Sequence, residues 1–595
     1  MMKLALRLAI LTTVVALLTC GKSEKPYNVM IIAVDTLRPD HLTCYGYSRA
    51  TSPNLDMLAR QSVRCQYALS QAPWTLPSFS TVFTSLYPSQ HGAIDVNSRM
   101  RTSFPTLASI LKSKGYATGA IVNAPALKPA YRTSRGFDFY DMTPQTGRIA
   151  DGTTRDALKW IDSVGDRPFF IFVHYFDPHL PYSPPPPYDT LYDSAYTGRI
   201  GRSFNLEGFS LVRDSMFVQM KRLSDADWKH IVALYDGEIA FTDSCIGVLL
   251  TGLEERHLRS NTLIVFLSDH GEEFFEHGGF EHGHTLYDDL LWVPLMFSMP
   301  GVLPEGKVVK DQVRLLDVAP TILDLIGIEK PPHFEGVSLV PLLTGRGAID
   351  ERSNSILPPG VSYAEAMRHG AEQKSITAYP WKLIYKTLNG QIEIFDLKQD
   401  PDEMVNLAGM NPPEKQRLLD YLYSTLFAVS DTWYVELGSR GHRFDIEITA
   451  ERGLSPGRIW LSRLLQDGKP VDLDLYLASD PLSSSLKLEN LVTADTLLLA
   501  FKVKPWKMPL IFDLKIDGND ASAHTYLGAS LASPSAMPFM QKPAKPRVLS
   551  DGRPQGEIDP PYCLIWYDRT PYTEETYFKL DEETKRQLRS LGYIQ

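Results

Sequence analysis

Thr75 lies in Trp74-Thr75-Leu76-Pro77-Ser78-Phe79, at the head of a segment that stays apolar or small through Leu86. Proline is favoured in the first turn of a helix, so Pro77 puts Thr75 at or next to the N-cap. Backbone N–H groups and the helix dipole attract an anion there. A hydroxyl at that point can attack phosphorus or sulfur once a metal lowers its pKa. Capping alone would explain a threonine in this place. Its company argues for chemistry: three apolar runs end in Asp35, in His174 with Asp177, and in Asp269-His270. Two carboxylates and an imidazole, from Asp35, Asp269 and His270, make a hard-plus-borderline set suited to Mn, Zn, Mg or Ca.

The elements that must position these groups can be read from the same runs. Val29-Met30-Ile31-Ile32-Ala33-Val34, Phe169-Phe170-Ile171-Phe172-Val173 and Leu263-Ile264-Val265-Phe266-Leu267 suit strands buried on both faces. Helical patterns lie between them at 52–61, 104–113 and 224–253. The last opens Ser224-Asp225-Ala226-Asp227, a hydroxyl followed three residues on by a carboxylate, which is a helix-start signal. Alternation of this kind predicts an α/β domain around a mainly parallel sheet. Ligands of open α/β sheets sit at the carboxyl ends of the strands, so three strands deliver their end residues to one rim. From about residue 431 the texture changes: Phe444 to Ile448 and Val471 to Leu477 alternate strictly, and Leu510 to Ile516 more loosely. Period-two alternation predicts a small antiparallel β-sandwich with one wet face per sheet. Its aromatics Trp433, Tyr434 and Tyr476 are read as core. A proline-rich linker follows near 534–554, and an amphipathic segment at 581–591.

A chain of 595 residues is too long for one ordinary core and predicts two or more domains. A net charge of −10 gives no sign of a nucleic-acid partner, and five cysteines exclude a disulfide-built scaffold. Lys3 and Arg7 precede an apolar run from Leu8 to Leu18, followed by Thr19-Cys20-Gly21. That is the charged and short apolar pattern of a secretory signal, and it falls short of a membrane span. The cysteine after the run resembles a bacterial lipoprotein processing site, which makes Cys20 the expected lipidation point. A Cys44–Cys65 disulfide is permitted in an oxidising compartment.

Several ordered motifs resemble the sulfatase family of the alkaline phosphatase superfamily. They are Asp35-Thr36-Leu37-Arg38-Pro39-Asp40-His41, Ser52-Pro53-Asn54-Leu55-Asp56, Thr75-Leu76-Pro77-Ser78 and Ser268-Asp269-His270-Gly271-Glu272. Asp177-Pro178-His179-Leu180-Pro181-Tyr182 and His282-Gly283-His284-Thr285-Leu286-Tyr287 also fit, as do Val293-Pro294-Leu295, Asp317 to Thr321, Asp400 to Leu407 and the final Leu591-Gly592-Tyr593. The resemblance implies an alkaline-phosphatase/sulfatase-like fold: a central, mainly parallel sheet flanked by helices, with the C-terminal antiparallel β-sandwich as an addition. It implies metal ligation by Asp35, Asp269 and His270, completed by the Thr75 hydroxyl. His179 and His284 then grip the anion's oxygens or protonate the leaving oxygen, and His284 stands where many sulfatases have lysine. His174, Asp177 and His282 are substrate-contacting or supporting candidates, and His277 lines the loop.

Two departures from the family pattern shape the expected chemistry. Formylglycine-dependent sulfatases have Cys or Ser at the Thr75 position and usually Arg at the Phe79 position, so that modification is not expected. Thr36 replaces a second aspartate ligand, which leaves a set sufficient for one divalent metal. One cation with two histidines matches a monoanion, such as a sulfate ester or phosphodiester, better than a dianion. The expected organisation is a signal at 1–20, a catalytic domain at 26–430, a β-sandwich at 431–545, and a linker with a helical segment at 546–595. The expected function is hydrolysis of sulfate or phosphate (di)esters of small molecules, glycans or lipids through a covalent threonine intermediate. The expected setting is the bacterial cell envelope, periplasmic or outer-membrane, with the chain lipid-anchored. A phosphoryl-headgroup transferase and an inactive binding protein are the rival readings.

Overall fold

The computed structural model describes residues 26–142, 150–206, 218–347, 349, 355–370, 372–386 and 391–429, strand segments between 432 and 568, and residues 580, 581, 584 and 585. The expected signal and Cys20 lie outside the described residues, as do Val471 to Leu477, most of the proline-rich linker and the chain beyond Lys585. In chain order the first six strands are β1 (Asn28–Val34), β2 (Val63–Leu69), β3 (Ala117–Ile121), β4 (Phe139–Asp141), β5 (Phe169–Tyr175) and β6 (Thr262–Ser268). A short hairpin follows, β7 (Glu273–Phe274) with β8 (Phe280–Glu281), then β9 (Trp292–Ser298) and β10 (Lys307–Arg314). All but the hairpin join one eight-stranded sheet in the order β10-β2-β9-β6-β1-β5-β3-β4. It is parallel except at β9, which runs against both of its neighbours.

The continuous apolar runs become the central strands because both of their faces are covered. Met30, Ile32 and Val34 of β1 join one core cluster, and Val29, Ile31 and Ala33 join the other. On the first side lies the long helix Asp225–Glu255, whose N-cap Ser224 accepts from the Asp227 N–H in the capping box expected from the sequence. On the second lies the helix Thr75–Thr84, buried along its whole length. Phe79 and Phe83, one turn apart on that helix, meet Phe172 of β5 edge-on at 5.2 and 5.0 Å between ring centroids. Residues four apart share a helix face, so seating Phe79 over β5 turns Thr75 toward the carboxyl ends of the strands.

Within the region expected from sequence to be one catalytic α/β domain, residues 26–430, the structure separates a second sheet. Strands β11 (Ser362–Ala364), β12 (Gln373–Ala378), β13 (Trp381–Lys386) and β14 (Gln391–Asp396) form a four-stranded antiparallel meander. Ile376, Leu383 and Ile394 of this sheet pack with Leu418 and Leu422 of the helix Glu414–Val429. Beyond it, the strands between 432 and 568 form sheets of seven and four strands among the described residues. Most of their pairings are antiparallel, the exceptions being those of Thr525–Leu527. Phe444 to Ile448 falls inside the strand Arg443–Ala450, and Leu510–Ile516 is a strand. Cys44 and Cys65 are free thiols, so the permitted disulfide is not formed.

Candidate active site

Three strand ends and one helix start converge. Asp35 follows β1 directly and its N–H donates to Tyr175 O at 2.9 Å, which ties the ends of β1 and β5 together. Asp269 and His270 follow β6, where Ser268 Oγ donates to His270 O at 2.8 Å and accepts from Leu37 N at 3.0 Å. Ser78 of the Thr75–Thr84 helix donates to Asp269 O at 2.8 Å, which pins the helix to the end of β6. Trp74 is the N-cap and Thr75 the first helical residue, next to the cap as the sequence predicts. Gly271 has no room for a side chain: a Cβ there would lie 1.9 Å from Asp289 O.

Asp35, Thr75, Asp269 and His270 are all fully buried. The Thr75 hydroxyl lies 3.3 Å from His270 Nε2, and that same nitrogen is 3.2 Å from Asp269 Oδ2 and 3.5 Å from Asp35 Oδ1. One ligand atom from each of Asp35, Asp269 and His270 falls within 4.8 Å of the others, the one such group among the described residues. All four carboxylate oxygens of Asp35 and Asp269 are buried without a hydrogen-bond donor. Burial, and Asp269 beside it, push the Asp35 carboxyl well above the usual carboxylate range. Burial alone would push His270 down, but Asp269 and Asp35 outweigh it and raise its pKa. Two facing carboxylates without donors are a costly arrangement unless a cation neutralises them. The donor set is oxygen-rich with one imidazole, so Asp35, Asp269 and His270 fit a divalent metal, with Thr75 beside it. Thr36, directly after Asp35, sits at φ 53°, strained for a β-branched residue, with its hydroxyl buried and unpartnered.

The histidines separate into groups. His174, fully buried, has Nε2 3.2 Å from Asp35 Oδ2 and packs against Phe79 at 5.2 Å; burial holds its pKa down at about 4. His282 lies 4.5 Å from the His270 ring and 5.0 Å from the His179 ring, centroid to centroid. His282 Nδ1 lies 2.9 Å from Glu272 Oε1, and its Nε2 accepts from Arg368 Nη1 at 3.1 Å, which fixes the Nδ1–H tautomer. His179 stacks on Phe176 and donates from Nδ1 to Leu180 O at 2.7 Å. Burial lowers the His179 pKa to about 3, so this ring is neutral near pH 7. His284 sits against Glu273, Nε2 to Oε2 at 2.8 Å. Asp177 accepts from Ala150 N at 3.1 Å, at the start of the helix Ala150–Val164. His277 stacks on Tyr287 and lies 3.2 Å from Asp289.

Sequence reasoning names Glu272 within a motif without giving it a role, and misses Arg368 and Glu273. The two glutamates follow the Asp269-His270-Gly271 motif directly, and that adjacency was the available signal. Arg368 lies 86 positions from its partner His282, and no local pattern announces it.

A family model described as sulfatase matches residues 27–328, and one described as N-sulphoglucosamine sulphohydrolase, C-terminal, matches residues 275–431. Over 464 residues the chain is 25% identical to an arylsulfatase of Clostridium perfringens, covering 67% of this chain and 93% of the relative. A structure solved in complex with its substrate D-glucosamine-2-N,6-O-disulfate aligns with a TM-score of 0.58 at 20% identity, covering 67% of this chain and 97% of that one. The phosphonate monoester hydrolase of Agrobacterium radiobacter aligns with a TM-score of 0.54 at 22% identity, covering 68% and 95%. These structural likenesses establish a shared fold, and the sulfatase model alone spans just over half of the 595 residues. The chain belongs to the sulfatase family.

Proposed function

We propose that this protein is a divalent-metal-dependent hydrolase of singly charged sulfate esters or phosphodiesters, with Thr75 as its nucleophile and no formylglycine. The observation that carries the reading is the Thr75 hydroxyl 3.3 Å from His270 Nε2, at the first residue of a buried helix and beside two donorless carboxylates. A divalent cation held by Asp35, Asp269 and His270 would supply Lewis acidity, lowering the pKa of the hydroxyl and offsetting charge on the transferred group. Thr75 loses its hydroxyl proton to solvent, its oxygen attacks phosphorus or sulfur in line, and the bond to the leaving oxygen breaks. His284, oriented by Glu273, gives the leaving oxygen its proton. Water then cleaves the Thr75 ester, and His284, left neutral by the first step, takes the water's proton; each such transfer typically contributes about 100- to 10,000-fold. The positive end of the Thr75–Thr84 helix dipole favours the developing negative charge.

The family and the names of its relatives support a sulfated sugar or a related ester as substrate. Export and lipidation at Cys20 remain part of the proposal; the mass of the processed N-terminus tests them. For the chemistry, metal-loaded protein is assayed against aryl sulfate, aryl phosphate and bis-aryl phosphodiester in oxygen-18 water. Metal-dependent cleavage with label in the released anion is expected. Label-free product carried on an added acceptor would make the protein a transferase, and the loss of no activity in Thr75→Ala would remove the nucleophile.

A further inference from the structure

Arg368 belongs to the loop between β11 and β12, far along the chain from every metal-site residue, and that loop is fastened at several points. Trp74 Nε1 donates to Ala366 O at 2.7 Å, which joins the loop to the N-cap of the nucleophile's helix. Glu372 accepts from Ala366 N at 2.9 Å and Met367 N at 3.2 Å, which holds Ala366 in its left-handed conformation at φ 69°. The N–H groups of Arg368 and His369 both donate to Gly283 O at 2.9 Å. Gly283 is at φ 80°, and a Cβ on it would lie 2.8 Å from Arg368 Cβ, so only glycine lets the two backbones come this close. The guanidinium then donates to His282, whose ring touches those of His270 and His179. The antiparallel sheet thus delivers a fixed cation to the rim of the metal site.

We propose that Arg368 is the residue that recognises the substrate's anionic group, taking the non-bridging oxygens of a singly charged phosphodiester or sulfate ester on its guanidinium. The planar N–H fork matches two oxygens of a tetrahedral anion. Charge balance sets the preference. Asp35 and Asp269 offset one divalent cation, and the single positive charge of Arg368 pairs with the single negative charge of a monoanion. Loop tethering supplies the preorganisation that such recognition requires.

This inference rests on the hydrolase reading for its choice of anion, and binding separates the two. Calorimetry on the metal-loaded full chain measures dimethyl phosphate and methyl sulfate as monoanions, and methyl phosphate as the dianion. Arg368→Met is expected to weaken both monoanions roughly 10- to 150-fold, the range of a charge-assisted hydrogen bond. Arg368→Lys keeps the charge without the fork and is expected to recover part of the loss. Metal affinity and the melting temperature should stay near wild type in both. Monoanion binding by Arg368→Met at wild-type strength overturns the assignment. So does a loss of metal affinity or folding as large as the loss of anion binding, because Arg368 would then be structural. Arg368-dependent binding by a chain that hydrolyses no ester keeps the anion site and sinks the hydrolase reading. Hydrolysis with wild-type KM in Arg368→Met does the reverse.

Discussion

At the scale of single residues, the site is defined by polar groups whose burial only a reaction or a ligand explains. Thr75→Ala removes the oxygen proposed to attack and should lower kcat by about 10⁴-fold or more in steady-state assays. Metal affinity should fall far less, because Asp35, Asp269 and His270 remain. Thr75→Ser keeps a hydroxyl at the same helix start and should recover most of the rate; equal loss in both variants would mean that the hydroxyl is not the nucleophile. Asp177 gives a separate, pH-dependent test. Burial pushes its carboxyl from 3.8 up to about 6, so the folded chain holds this proton more tightly than the unfolded chain does. Between about pH 4 and 6 the folded state binds more protons, and stability therefore falls as pH rises through that window. Asp177→Asn, which cannot ionise, should gain about 1–2 kcal/mol over wild type at pH 7.5 and almost nothing at pH 4. Thermal melts from pH 4 to 8 check this; a gain independent of pH would show that the charge is not the cause.

At the scale of elements, the Thr75–Thr84 helix is an aiming device. Phe79 is fully buried and holds the helix against Phe172 and His174 of β5, while Ser78 ties it to the end of β6. Phe79→Ala should cost about 3–5 kcal/mol in urea unfolding, as expected for a fully buried phenylalanine. It should also lower kcat at temperatures where the variant is still folded, because Thr75 is one turn away. Full activity in the folded variant would mean that Ser78 alone sets the aim. The same elements show what a sequence discloses. Asp35, Asp269 and His270 are legible because each ends a run that is apolar on both faces, and Thr75 because proline marks the helix start. The meander β11–β14 is also signalled, by alternation in Trp381 to Lys386 and Gln391 to Phe395 on either side of Asn389-Gly390, a hairpin dipeptide. Sequence reasoning passes over it because the surrounding alternation of helices and strands suggests a single sheet. Arg368 is beyond such reading: its place depends on Gly283, Trp74 and Glu372, which are brought to it only by the tertiary fold.

At the scale of the whole molecule, the chain returns to the catalytic body after its long β region. Leu580 is buried in a cluster with Trp74, Leu76, Met100 and Tyr131, and Lys128 Nζ donates to Thr584 Oγ1 at 2.9 Å. Asp581 accepts from Thr584 N at 2.7 Å, which orders this stretch locally. Trp74 is therefore a joint between three parts of the sequence: it caps the Thr75–Thr84 helix, bonds the Arg368 loop through Ala366, and packs on the late segment. Truncating the buried side chain by Leu580→Ala should cost about 2–3 kcal/mol by thermal or urea unfolding. Loosening Trp74 should disturb Thr75 and Arg368 together, so kcat and KM for a charged ester should both worsen. The divalent-metal affinity should hold, because Asp35, Asp269 and His270 are anchored by β1 and β6 and not by this joint. That split distinguishes a coupling through Trp74 from general unfolding, in which metal binding would fail in proportion to activity. A Leu580→Ala protein with lowered stability but wild-type kcat and KM would instead show that the late segment stabilises the body without steering its site.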